Sequence, residues 1–406
     1  MRESTLSVLA VTVLCAGSFS FAAAPAWPDI KVEVKADQPV ATAQSLKQQA
    51  DGFHRLAITL SNPGQQPLTI EKITVRIPVA ERLTDDLEML YGGSCMGRTP
   101  LLRQNVGTQT KLSSSHMYEM VRLADGQYLF AGSLSWRIFL PNLTLKNGAF
   151  VVWSNGEGKQ LKPGETIQYE QIVLRRAGNW LDLLNQFGTA IAAENGITKL
   201  KDADFKGWAT WDYYGRVFTA NDIHPVYPAF PERSLANLGH FYLSGKVFHG
   251  DADYLVFRAA ADEDEKVCKE KFKHGGSMTM NEAQMWADFN KLYGNFRLSS
   301  DNLITLRPER QALVKEVFQY PAMDETVPLD IWRHATNKGD GFELVLARKG
   351  KETYLGVFNW GDTPKEYTLA PFGKPEPVEL AGRHSVILKY DGKHSFARLC
   401  QELQSR

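Results

Sequence analysis

Apolar positions in this chain follow two periods, and the period changes twice. Residues 68–79 read LTIEKITVRIPV, where Ile73, Val75, Ile77 and Val79 are set off by Thr74 and Arg76. Alternation sends successive side chains to opposite faces, so this segment predicts a half-buried strand. Residues 55–60, 149–153 and 166–175 are similar. Asn62-Pro63-Gly64, Asn147-Gly148, Asn155-Gly156 and Lys162-Pro163-Gly164 stand between them as turn chemistry. Short strands parted by turns predict an antiparallel sandwich.

The spacing then lengthens. After Asn179, a residue suited to capping, Trp180, Leu183, Leu184, Phe187 and Ile191 fall on one helical face, and Asn195-Gly196 ends the run. Thr279 followed by Glu282 is a capping-box pattern, and the helix it opens carries Met285, Trp286, Phe289 and Leu292 until Gly294. A third helix starts near Pro308, holds Leu313, Val314, Val317 and Phe318 together, and stops before Pro321. Strands return beyond it. Residues 342–347 and 353–359 flank a short stretch containing Gly350 and predict a hairpin; residues 378–380 and 385–390 follow. The expected architecture is multidomain α+β: an N-terminal β-sandwich over residues 25–176, a mixed segment over 177–320, and a C-terminal antiparallel β-sandwich over 321–406.

Residues 1–24 stand outside this scheme. Arg2 precedes the apolar run LSVLAVTVLCA, and small residues lead to Ala22-Ala23-Ala24, which is the layout of a secretory signal peptide. The expectation is an exported protein, periplasmic or extracellular, with no membrane span. Lys and Arg (46) balance Asp and Glu (46), so nothing predicts nucleic acid or an anionic membrane as partner. Cys95, Cys268 and Cys400 remain after the leader; their spacing matches no zinc motif and they read as buried free thiols. Asn142-Leu143-Thr144 fits a glycosylation acceptor, relevant only in a eukaryotic secretory pathway.

The chemistry concentrates in the mixed segment. Residues 207–216 read GWATWDYYGR: Trp208 and Trp211 supply aromatic walls and Asp212 a carboxylate, a set suited to a polyol ligand, although both tryptophans suit a core equally. The stretch resembles the first barrel strand of the α-galactosidase and raffinose-synthase group of glycoside hydrolases, which opens on GW-C/A-S/T-W. Further likenesses follow in the family's order. Asn221-Asp222-Ile223-His224-Pro225 is similar to the segment carrying the acid/base Asp; Phe248 to Leu255 (FHGDADYL) resembles nDPDyL; Arg297 to Leu303, then LRPER from Leu306, resembles the SDdL…L…eR stretch at the barrel's end. The resemblance implies an enzyme that hydrolyses terminal α-linked sugars with paired carboxylates. It gives Asp222 as acid/base, and Trp208, Trp211, Asp212, Asp251 and Asp253 as contacts to an oligosaccharide or α-galactoside, with no cofactor and no metal. Asp222 also suits a helix cap, since Thr219-Ala220-Asn221-Asp222 is helix-start chemistry. His249, Asp251 and Asp253 alternate as three metal donors on one strand face would, but no fourth ligand accompanies them. Residues 261–265 (ADEDE) read as a solvated stretch, Tyr213, Tyr214 and Tyr242 as cleft-lining or packed, and Arg258 and Arg310 as partners of nearby carboxylates.

One departure matters. From Gly207 to Tyr320 the chain offers 114 residues, whereas a complete (β/α)8 barrel takes about 200–250. No Lys-x-Asp-Phe segment, the family's nucleophile context, is present. The expectation is therefore a truncated barrel remnant with impaired hydrolysis; the alternatives are a non-catalytic carbohydrate-binding remnant and a shortened product without selected function. The helix face of Met285, Trp286, Phe289 and Leu292 then needs another cover: a sandwich, a second chain, or none. A homo-oligomer is expected on that ground.

Overall fold

The computed structural model describes residues 27, 29–92, 101–108, 115–198, 200, 205–208, 238–253, 255–258, 278–301, 303–304, 306–333, 341–369, 376–390, 396 and 399–400. The leader-like residues 1–24, Cys95 and Cys268 lie outside them.

Two antiparallel sheets, of five and eight strands, form the N-terminal part. In the smaller, strand Leu68–Pro78 pairs with Lys31–Ala36 on one side and Ala149–Asn155 on the other. Its buried residues are Leu68, Ile70, Ile73, Val75 and Ile77. The phase slips in the middle because Glu71 and Lys72 are both exposed. Lys35 pairs with Lys72 and Ala36 with Ile70, so Glu71 is the extra residue of a bulge that keeps both halves of the strand facing the core.

The single strand expected at residues 166–175 is two, Thr166–Gln168 and Ile172–Ala177. Both pair with His54–Ser61, one residue out of step across the break. Glu170, 2% exposed, occupies the break. Its carboxylate accepts from the backbone N–H groups of Ile138 and Phe139 and from the Ser135 hydroxyl, and the chain leaves the ladder to turn it inward.

The eight-stranded sheet is covered on both faces. Leu56, Ile58, Leu129, Ala131, Ile172 and Leu174 face the smaller sheet. Phe53, Tyr118, Phe130 and Val173 face the helical layer. Strand Tyr128–Ser133 is accordingly buried at every position.

The three helices form where the periodicity places them. Trp180–Glu194 is capped by Asn179, whose side chain accepts from the N–H groups of Leu181 (2.8 Å) and Asp182 (3.2 Å). Met280–Tyr293 carries both halves of the capping box: Thr279 N–H donates to Glu282 at 2.8 Å, and Glu282 N–H to the Thr279 hydroxyl at 3.3 Å. Pro308–Gln319 opens on its proline. Met285, Trp286, Phe289 and Leu292 are fully buried. Their cover is the C-terminal sheet, where the Phe289 ring meets Phe358 at 6.0 Å and Trp360 at 6.3 Å. This face is thereby removed as a reason for association.

That C-terminal sheet has four antiparallel strands, Glu325–Pro328, Leu344–Lys349, Glu352–Asn359 and His384–Tyr390. A separate pair, Lys365–Leu369 and Glu376–Leu380, accompanies it. The expected hairpin closes over Gly350 and Lys351, with Gly350 at φ +57°, a conformation glycine adopts without steric cost. Cys400 is a buried free thiol, and burial pushes its pKa up to about 12.

Between the two β-rich parts lies a small parallel arrangement. Strand Phe205–Trp208 runs parallel to Phe296–Ser299. On the other flank of Phe296–Ser299, Asp251 bridges Phe296 and Leu255 bridges Ser299, again in parallel. The helix Met280–Tyr293 provides the crossover that parallel neighbours require. Among the described residues these segments form no closed ring. No helix of the described residues is long and apolar enough to cross a membrane.

Candidate functional site

Parallel strands give the arrangement two distinct ends. Trp208 pairs with Ser299, which also bridges Leu255, so these three residues mark the C-terminal end. Phe205, Phe296 and Asp251 mark the other. In parallel α/β sheets ligands gather outside the carboxyl ends of the strands.

The chain beyond Ser299 builds a buried ion pair at that end. Asp301, 1% exposed, accepts from Arg258 Nη1 at 2.9 Å and from the N–H of Phe257. Arg258 is 4% exposed. Arg310 donates to the carbonyls of Phe257 and Met278, fastening the first turn of the third helix to the same segment. Arg297, fully buried, donates to the carbonyls of Gly294, Val317, Tyr320 and Pro321. A cation is favourable there because the carbonyls at a helix C-terminus carry its negative end. These arginines lock strand Phe296–Ser299 to the helices around it.

At the opposite end, Asp251 Oδ1 accepts from the N–H of Asp253 at 2.8 Å. Asp253 takes φ +84°, and this local Asx turn compensates the left-handed backbone. Asp251 is exposed as a residue, yet protein crowds its carboxyl, and that desolvation raises its pKa to about 6. Burial, and then the Asp251 charge, push the Tyr293 hydroxyl up.

The predicted site residues are thus divided. Trp208 ends its strand at the C-terminal end; Asp251 stands at the N-terminal end, with Asp253 midway between the two bridges. Trp208 and Asp251 are offset by the length of Phe296–Ser299, about 10 Å for four residues of strand. Trp211, Asp212 and Asp222 lie outside the described residues, as do Tyr213, Tyr214 and residues 261–265. Tyr242 is a packed tyrosine, fully buried against Phe187, Tyr118 and Phe241. Among the described residues no three His, Cys, Asp or Glu side chains gather to hold a metal ion, and His249, Asp251 and Asp253 form no such group. Asp301 was absent from the sequence-derived site; its place in SSDNL was the available signal, and its partner Arg258 is 43 positions away.

No protein-family model and no curated protein matches the chain. Among solved structures it is similar to the galactosidase domain of an α-galactosidase–sucrose kinase, at 13% identity and a TM-score of 0.31, over 53% of this chain and 33% of that one. A GH36 α-galactosidase of Geobacillus stearothermophilus matches at 13% identity and 0.28, over 52% and 36%. The α-galactosidase of Lactobacillus brevis matches at 11% and 0.30, over 68% and 39%. The chain therefore spans little more than a third of these neighbours' length. The likeness is distant, and at such TM-scores it carries nothing about residues or activity.

Proposed function

We propose that the chain is an exported relative of the α-galactosidase group, directed at an α-galactoside or a related oligosaccharide. What supports this is the parallel pairing of Phe205–Trp208 with Phe296–Ser299. It joins the two ends of the ordered motif series, GWATWD and SSDNL, edge to edge, as the first and last strands of a closing barrel would be. In this reading the three parallel segments are what the chain keeps of a (β/α)8 barrel, and Trp208, Trp211 and Asp212 are the sugar contacts that the motif assigns to its mouth.

Hydrolysis needs two carboxylates. An acid protonates the leaving oxygen while a second carboxylate attacks the anomeric carbon, at about 5–5.5 Å separation, or activates water, at about 6.5–9.5 Å. Asp222 is the proposed acid/base, and Asp212, ten residues before it, is the carboxylate of the preceding motif. A second reading, binding without hydrolysis, is favoured by one observation. Asp301, at the C-terminal end, is held by Arg258 and Phe257, and Asp251 stands at the other end. Release of the aryl alcohol from an aryl α-galactoside separates the readings. Hydrolysis predicts turnover by the purified chain that falls at least about 100-fold in Asp222→Asn. Saturable galactoside binding without turnover selects the binding reading, and neither binding nor turnover overturns both.

A further inference from the structure

A cleft of about 450 Å³ opens between the helix Trp180–Glu194, the turn at residues 241–246 and the start of the C-terminal sheet. That volume is in the range of about 300–1,000 Å³ typical of small-molecule sites. It includes Asn295, the residue just before strand Phe296–Ser299, so it stands at the end of the parallel segments remote from Trp208.

Its walls are positioned by tight packing. Gly188 lies against the turn so closely that a Cβ there would fall 1.8 Å from the Tyr242 carbonyl oxygen. Lys246 Nζ donates to Asn185 Oδ1 at 3.0 Å and to the Tyr242 carbonyl at 3.1 Å. An ammonium has three N–H donors, so one is left for the cleft. Ser244 Oγ accepts from the N–H of Gly250 at 3.1 Å and keeps its own proton to donate. Asn295 Nδ2 donates to the Met323 carbonyl at 3.2 Å, while its buried Oδ1 has no hydrogen-bond partner. A buried acceptor left without a donor calls for an explanation.

The charges around the cleft argue against an ionic ligand. Asp324 accepts from Lys349 at 2.9 Å and from the N–H of Gly350 at 2.7 Å. Glu325 faces Arg348 at 3.5 Å. These acids would repel an anion, and Lys246 would repel a cation. What remains is a mixture of donors, the Lys246 N–H and the Ser244 O–H, beside the carboxylate acceptors of Asp324 and Glu325. Hydroxyl groups that each donate and accept match that mixture.

We propose that this cleft binds a small neutral polyhydroxylated ligand of monosaccharide size, with Lys246 and Ser244 as its principal contacts. The site is separate from the mouth assigned above and does not depend on that assignment. Hydrogen exchange of the full chain, with and without galactose at millimolar concentration, tests it. Protection is expected in peptides spanning residues 241–250 and 323–328. Lys246→Met is expected to weaken the apparent affinity by about tenfold, the loss of one charged hydrogen bond. Thr189→Arg, from an exposed helix position on the cleft wall, is expected to abolish protection without touching the core. The Asp222→Asn protein is expected to show the same protection as the parent. Absence of protection in those peptides, its persistence in Thr189→Arg, or its loss in Asp222→Asn would overturn the proposal.

Discussion

Glu119 sits fully buried on strand Tyr118–Arg122, opposite Tyr91 on one side and Ala131 on the other. Neither carboxylate oxygen has a hydrogen-bond partner. Burial holds its pKa well above the ordinary value of about 4.5. The folded state therefore binds this proton more tightly than the unfolded chain. The associated stability is complete below the unfolded pKa and is lost as pH rises toward the folded one. Glu119→Gln is expected to raise the melting temperature at pH 7 and flatten its fall between pH 5 and 7; an unchanged pH slope would show that Glu119 is not the proton sink. Residue-scale reading of the sequence succeeded where a side chain acts on its own neighbours, as Asn179 and Thr279 do at their helix starts. It missed Glu119 and Asp301, because a carboxylate's burial depends on strands and arginines far along the chain.

Elements were legible in proportion to how unequal their two faces are. The helices have one apolar stripe each, so a period near 3.6 marks them and their caps fix the ends. Strand Leu68–Pro78, buried on one side, alternates. Tyr128–Ser133 does not, because both faces of its sheet are covered, and a strand buried on both sides reads as an unbroken apolar run. The helix Met280–Tyr293 is held by side chains that reach another element. Asp288 accepts from Lys291 at 2.9 Å and from Ser385 on the C-terminal sheet at 2.8 Å, and Lys291 also reaches Glu316 on the third helix at 2.6 Å. Phe289→Ala removes a fully buried ring from this junction and is expected to cost about 3–5 kcal/mol in denaturant unfolding. A loss under about 1 kcal/mol would mean that the junction collapses around the gap.

At the scale of the molecule, the C-terminal sheet covers the helix face of Met285, Trp286, Phe289 and Leu292. One apolar cluster runs from the outer face of the eight-stranded sheet, through all three helices, into the C-terminal sheet. Removing residues 321–406 would uncover Met285, Trp286, Phe289 and Leu292 together. Contiguous apolar surface of that kind drives association. The truncated chain is expected to bind a hydrophobic dye and to elute from gel filtration as aggregates. A monomeric, dye-negative product would show that the helix face finds cover without the sheet.

The sequence alone determined where the three helices start and stop, and the β-rich, mixed, β-rich order, because these follow from periodicity and from groups within a few residues of one another. Only the tertiary structure decided that Trp208 and Asp251 mark opposite ends of a parallel arrangement, that Asp301 is used by Arg258, and that Asn185, Lys246, Asn295 and Glu325 line one cleft. Those relations join positions tens to more than a hundred residues apart, and their geometry is set by strand register and helix packing, which no local pattern encodes.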